Sequence, residues 1–350
     1  MKRILLAVMT LLAGCASDGG IQSGGIVMEE AMVPSDPGIS VYVLNKRPAS
    51  MASFSAEKTV LFVHGATYPS ETAFDLQLDG TSWMDYIARA GYDVYLVDVR
   101  GYGRSTRPAA MDQPASANPP FATTDEAVRD VGAAVDYILK RRGIAKLNLL
   151  GWSWGTVTMA WYTTQNSAKV NKLALYAPVW IRQTASLVQA GPGPLPAYRS
   201  VQMSAARGRW LTGVAPEKQK DLIPAGWFEA WADATWKTDP KGMTQNPPVL
   251  RAPNGILFDS SRYWGAPQGQ GRMPYSAADL RVPTLLIKAE WDADTPTYMA
   301  ATLFPLLVNA PYKRYVEIGE GTHTVMMEKN RMNLFREVQL FLDENHAPSK

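Results

Sequence analysis

The 350-residue sequence predicts an α/β fold: a mostly parallel, doubly wound sheet carrying an inserted helical cap. Three observations point to it. Short Val/Leu/Ile runs recur along the chain, mostly continuous, as expected of parallel strands buried on both faces. Amphipathic helical patterns separate several of them, and strand–helix alternation is the rhythm of crossover units. That rhythm stops between Trp180 and Tyr275, where Gly and Pro cluster over 191–196 and Trp210, Trp227, Trp231, Trp236 and Trp264 accumulate.

At the start of the chain, Lys2 and Arg3 precede an apolar stretch over 4–12 that ends in small residues, the layout of an export signal. The stretch falls short of the roughly 20 residues a spanning helix needs. Leu12, Ala13, Gly14 and Cys15 resemble the bacterial lipobox, in which the cysteine is lipidated and becomes the mature N-terminus. The resemblance implies a signal peptide over 1–14 and lipidation of Cys15. A flexible, Gly-rich tether then occupies 15–25. Cys15 is the only cysteine, so an exported chain has no intramolecular disulfide to make with it. Ala16, where an acidic residue would signal inner-membrane retention, favours an outer-membrane anchor, periplasmic or at the surface. Cleavage removes Lys2 and Arg3 and lowers the formal net charge from +3 to +1.

The folded part divides into a core over 26–180, the cap insert over 181–275 and the rest of the core over 276–350. Segments 26–33 and 39–45 alternate apolar and polar residues around Pro34, Asp36, Pro37 and Gly38, and read as an antiparallel hairpin. Buried parallel strands are expected at 59–63, 93–97, 146–150, 172–176, 283–289 and 314–318. Helices are expected at 82–90 and at 125–141, where Val128, Val131, Val135 and Ile138 share one face and Thr123 with Glu126 forms a capping box. A closing helix carries Leu334, Val338, Phe341 and Leu342. Lysines and arginines are scattered, without the basic run that tracks phosphates, so nucleic acid is excluded as a partner. Cysteine is single and the histidines lack ligand spacing, so neither a metal site nor a cofactor is expected. Nothing in the sequence specifies an oligomeric state.

Gly151, Trp152, Ser153, Trp154 and Gly155 fit GxSxG between a predicted strand and a helix-like segment over 156–162. A serine on such a turn is lifted clear of both elements, with glycines leaving room for the tight backbone, so Ser153 is the candidate nucleophile. A serine hydroxyl needs a base. The chain offers only His64, His323 and His346. His346 lies near the polar C-terminal end and is expected to be solvated, and His64 falls early in the chain after the strand over 59–63. His323 follows the strand over 314–318 and is the candidate base. The strand over 283–289 opens into Glu290, Trp291, Asp292, Ala293 and Asp294, from which Asp292 is chosen to orient the imidazole. Asp294 and Glu290 are the alternatives on that loop.

The order Ser153, Asp292, His323 on this strand rhythm resembles the α/β-hydrolase superfamily from about residue 26 onward, the insert excepted. Val63, His64 and Gly65 match its strand-end HG. Residues 98–105, Asp-Val-Arg-Gly-Tyr-Gly-Arg-Ser, resemble its DxRGxGxS turn, and Gly321, Thr322 and His323 its histidine loop. The resemblance implies an oxyanion hole built from the backbone N–H groups of Ala66 and Trp154, with His64 as a structural or pocket-lining residue and the Arg100 to Arg104 turn as scaffold. Serine rather than aspartate at the elbow implies an acyl-enzyme route. The small-molecule substrate expected is a carboxylic ester or lactone, with a hydrophobic or aromatic acyl group under the Trp-rich cap. Ser153-Trp154-Gly155 also resembles prolyl iminopeptidases, and Glu229 in the cap would bind their substrate amine. Against this, His64-Gly65-Ala66-Thr67 stands where those peptidases show HGGPG. A hydrolase fold serving only as a surface binding protein is the remaining alternative.

Overall fold

The structure is a computed structural model that describes residues 21–23, 25–189 and 193–346. The expected signal peptide, Cys15 and most of the tether lie outside the described residues. Eleven strands are described: β1 (Ile21–Ser23), β2 (Ile26–Pro34), β3 (Ser40–Pro48), β4 (Thr59–Val63), β5 (Asp93–Val97), β6 (Leu147–Trp152), β7 (Val170–Tyr176), β8 (Tyr198–Gln202), β9 (Val249–Pro253), β10 (Thr284–Ala289) and β11 (Lys313–Ile318). Nine form one sheet in the order β1-β2-β3-β5-β4-β6-β7-β10-β11. From β5 to β11 every pairing is parallel, while β1, β2 and β3 extend the sheet antiparallel at one side.

Between β4 and β5 lie α1 (Ser70–Phe74) and α2 (Trp83–Arg89), and between β5 and β6 lies α3 (Thr124–Arg142). Thr123 and Glu126 cap α3 reciprocally, as their spacing predicts. After β6 comes α4 (Trp154–Gln165). The insert carries α5 (Met203–Trp210), α6 (Pro216–Leu222), α7 (Trp227–Lys237), α8 (Pro240–Met243) and α9 (Gly255–Arg262), and α10 (Thr297–Leu303) and α11 (Arg331–Asp343) complete the chain. The insert was expected to be helical, yet β8 and β9 pair within it as an antiparallel ribbon. Their sequences are short, and β9 ends in proline, so the period-two signal is too brief to read.

Successive strand residues point to opposite faces, and the core divides accordingly. Val60 and Phe62 join Met84 and Ile87 of α2 and Leu334, Val338 and Phe341 of α11 on one face. Leu61 and Val63 join Val128, Val131 and Val135 of α3 and Val157 of α4 on the other. β11 departs from the fully buried strand expected, because it is an edge strand and Lys313 to Val316 remain half-exposed.

Strand order places the site. The chain runs from β4 to β5 on one side, then crosses through α3 to β6 on the other side of β4. Loops leaving the carboxyl ends of β4 and β6 therefore diverge and open a crevice between them, the switch point where α/β sheets bind ligands. Val63 pairs with Gly151 at that edge, so residues 64–67 emerge beside Ser153.

Candidate active site

Ser153 joins β6 to α4 with φ 57° and ψ −122°, a conformation that costs a non-glycine residue energy and persists only where packing enforces it. The Ser153 N–H donates to the Tyr176 carbonyl of β7 at 2.9 Å. Glycines make the turn possible. A Cβ on Gly155 would stand 2.6 Å from the His64 carbonyl oxygen, and one on Gly65 2.9 Å from the Ser153 Cβ. Ser153 occupies the N-cap position of α4 without using its side chain to cap. Its hydroxyl stays available for chemistry.

His323 follows β11, and its Nδ1 lies 2.9 Å from Asp292 Oδ2 and 3.0 Å from Oδ1. Donation from Nδ1–H to the carboxylate leaves the Nε2 lone pair free to accept a proton. Asp292 is itself oriented by Thr295, whose N–H donates to Oδ1 at 2.7 Å and whose hydroxyl donates to Oδ2 at 2.6 Å. The His323 carbonyl accepts from Trp152 Nε1 at 3.0 Å and Tyr176 OH at 2.8 Å. One cavity brings Ser153, His323 and Ala66 into a common wall.

The other loop acids face elsewhere. Asp294 accepts from Arg209 of α5, Nη2 to Oδ1 at 2.8 Å, and its carbonyl accepts from Arg182. Burial pushes the Asp294 carboxyl up, but Arg209, His323 and Arg182 together outweigh it and hold it below the usual range. Glu290 accepts the Glu320 N–H at 2.9 Å. Glu229, expected in the amine-binding role, points away from the site: its side chain is 66% exposed and pairs with Arg207 at 2.9 Å. On the short helix α7 it stays exposed while Phe228, Trp231 and Trp236 are buried. The expectation for His346 also needs correcting, because its ring stacks on Tyr312 at 4.1 Å and its side chain is 3% exposed.

His64 is fully buried, with Nδ1 2.7 Å from the Gly65 carbonyl and Nε2 accepting the Val99 N–H at 3.1 Å. Burial pushes its imidazole down to about 4, so it is neutral at physiological pH. The Gly65 carbonyl belongs to the same peptide as the Ala66 N–H, and a hydrogen bond to one end polarises the other. Ala66 presents its own carbonyl to Tyr102 OH at 2.8 Å and to Arg199 Nη2 at 2.7 Å. Trp154 begins α4, where an N–H has no intrahelical partner and the helix dipole favours negative charge. The arrangement can therefore bring a serine to a carbonyl carbon, with a base of fixed tautomer beside it and two backbone donors for the carbonyl oxygen.

Residues 58–330 match the family model described as alpha/beta hydrolase fold. The chain belongs to the α/β-hydrolase family. With serine at the elbow, it is a serine hydrolase of that fold. Solved structures similar to this hydrolase include a serine hydrolase from the polyaromatic hydrocarbon-degrading bacterium Cycloclasticus zankles, at 15% identity, 90% coverage of this chain, 98% of that one and TM-score 0.61. A membrane phospholipase A described as a bacterial virulence factor gives 18%, 90%, 86% and 0.58. A meta-cleavage product hydrolase from Pseudomonas fluorescens gives 15%, 89%, 97% and 0.56. At such identities the likeness is one of fold. No curated protein matches this hydrolase in sequence.

Several residues around the site carry no sequence signal. Arg199 reaches from β8 to Ala66 and Thr67, Arg209 from α5 to Asp294, and Trp210 from α5 to Glu328, each across a long separation. Thr295, three residues after Asp292, was readable as an Asx-type partner.

Proposed function

We propose that this α/β-hydrolase cleaves carboxylic esters or lactones through an acyl-enzyme on Ser153. The observation that carries the reading is the Asp292–His323 hydrogen bond, which leaves Nε2 free in the cavity that also exposes the unengaged Ser153 hydroxyl. In the mechanism, Ser153 Oγ attacks the carbonyl carbon as His323 takes its proton. The oxyanion accepts from the Ala66 and Trp154 N–H groups, His323 then protonates the leaving oxygen, and a water activated by the same imidazole releases the acid. Asp292 stabilises the imidazolium in both halves. A hydrophobic or aromatic substrate fits the aromatic side chains of the cavity, Tyr68, Trp152, Trp210 and Trp231.

The aminopeptidase reading has lost its amine-binding acid, since Glu229 is exposed and paired, and Asp294 of the cavity wall is committed to Arg209. We further propose that Cys15 is lipidated and anchors the hydrolase to a bacterial outer membrane.

A fluorophosphonate probe should label the wild type and fail with Ser153→Ala. Ester hydrolysis should fall by on the order of 10⁴-fold or more in Ser153→Ala and His323→Ala, because the residues act as a unit. Labelling that survives in Ser153→Ala refutes the assignment of the nucleophile. Hydrolysis of proline arylamides in preference to aryl esters would restore the peptidase.

A further inference from the structure

Ser153 stands between two chambers rather than at the bottom of one. Ala66, Arg209 and Asp294 share this dividing position and belong to the walls of both. On one side the chamber is closed by the flat side chains of Tyr68, Trp152, Trp210 and Trp231, and His323 and Thr324 complete it. On the other side the wall passes Trp154 and mixes Ile256, Leu257 and Trp264 with the polar Arg182, Ser186 and Ser260. His323 belongs to the first wall alone. The Arg209–Asp294 ion pair forms a charged waist between the two chambers.

The chemistry of acyl transfer assigns the chambers. When Ser153 Oγ bonds to the carbonyl carbon, its proton moves to His323 Nε2. As the tetrahedral intermediate collapses, the bond from carbon to the leaving oxygen breaks and that proton passes from Nε2 to the leaving oxygen. The leaving oxygen must therefore come within hydrogen-bond reach of the imidazole, while the acyl chain, fixed by the oxyanion between Ala66 and Trp154, points away from it. We infer that the leaving group occupies the aromatic chamber walled by His323, and that the acyl group occupies the chamber beyond Trp154. The substrate class that follows is an ester of a phenol or other flat aromatic alcohol. This places the aromatic ring on the alcohol, where the sequence leads one to expect a hydrophobic or aromatic acyl group, and it rests on the acyl-enzyme reading above.

The aromatic chamber is built for a ring. Trp231 meets Tyr68 edge-on at 4.7 Å between centroids and Trp210 at 5.1 Å, so the side chains form an angled aromatic wall that offers both faces and edges to a ring. Ala206 of α5 lines this chamber and not the one beyond Trp154, and Leu257 of α9 lines that one and not this. Enlarging each side chain fills one chamber at a time.

The experiment exploits the intermediate itself. Once the alcohol has left, deacylation depends only on the acyl group. Ala206→Leu is expected to lower kcat/KM for naphthyl acetate about tenfold relative to ethyl acetate, with no change in the deacylation rate of the acetyl-enzyme measured by burst kinetics. Leu257→Phe is expected to lower kcat/KM for p-nitrophenyl hexanoate about tenfold relative to the acetate and to slow deacylation of the hexanoyl-enzyme. Stoichiometric labelling by a fluorophosphonate certifies folded sites, and Ala206→Val and Leu257→Met replace either variant that fails to label. The opposite pattern, or equal effects of both variants on both series, overturns the assignment while leaving the serine hydrolase intact. A wild type that neither labels nor shows a burst removes the acyl-enzyme reading and the assignment with it.

Discussion

His64 shows how a conspicuous residue can act without touching a substrate. Its Nδ1–H is spent on the Gly65 carbonyl and its Nε2 on the Val99 N–H, so it fixes the peptide that carries the proposed Ala66 donor. Because burial depresses its folded-state pKa to about 4, against 6.5 when unfolded, its contribution to stability is full above 6.5 and is lost as pH falls through 4. The difference amounts to about 3 kcal/mol. Asp98, pushed up to about 7 by burial, works in the opposite sense, its contribution being present below 3.8 and lost as pH rises through 7. The two partly cancel in the whole protein. Comparison with His64→Gln, which keeps one donor and one acceptor, isolates the histidine. The stability advantage of the variant should grow, or its deficit shrink, by about 3 kcal/mol between pH 7 and pH 4, measured by urea unfolding at each pH. A difference that does not vary with pH would contradict the neutral, buried imidazole. At this scale the sequence was most legible where local geometry decides, as at Ser153, whose glycine neighbours are demanded by backbone approach. It was least legible for the loop acids, since Asp292 and Asp294 differ only in where their carboxylates point.

Among the elements, the insert and the His323 loop are joined by one buried carboxylate. Glu328 accepts the Thr322 N–H at 2.9 Å, the Thr322 hydroxyl, the Thr324 hydroxyl at 3.3 Å and Trp210 Nε1 of α5 at 2.6 Å. It thereby holds the residues on both sides of His323 and ties them to the cap. Burial pushes the Glu328 carboxyl up despite these donors, so its contribution to stability is present below 4.5 and is lost as pH rises through its folded-state pKa. Trp210→Phe keeps the ring and removes one donor. It should cost about 1–3 kcal/mol at neutral pH and less toward acid, where Glu328 takes up a proton and the missing donor matters less. Urea unfolding of the variant at pH 5 and pH 8 checks this; a cost independent of pH would mean that the indole contributes packing alone. The cap tryptophans divide between pocket and core. Trp210 and Trp231 line the aromatic chamber, while Trp236 is buried behind them against Trp231 and Tyr68.

For the molecule as a whole, two core layers on either side of one sheet hold the carboxyl strand ends in place, and every site residue except those from the insert rises from such an end. The proposed lipid anchor belongs to this scale as well. Fractionation of the producing bacterium should find the hydrolase in membranes through an acyl-modified Cys15, visible by mass spectrometry of the mature N-terminus, and Cys15→Ser should release it to the soluble fraction. An unmodified, soluble wild type would end the proposal. Among the described residues no helix is long and apolar enough to cross a membrane, so the described fold supplies no helical span in place of the lipid.

The sequence by itself determined the strand and helix rhythm, the capping of α3, and the elbow serine, because these depend on periodicity, local capping and backbone room within a few residues. Scarcity of histidine did the rest for His323. Only the tertiary structure decided that Asp292 rather than Asp294 meets the imidazole, that Glu229 faces solvent, that Arg199 and Trp210 reach the site from the insert, and that Ser153 divides two chambers. Those facts join residues up to more than a hundred positions apart. They follow from which strand ends the topology sets side by side and how the insert folds back over them, and no local pattern records either.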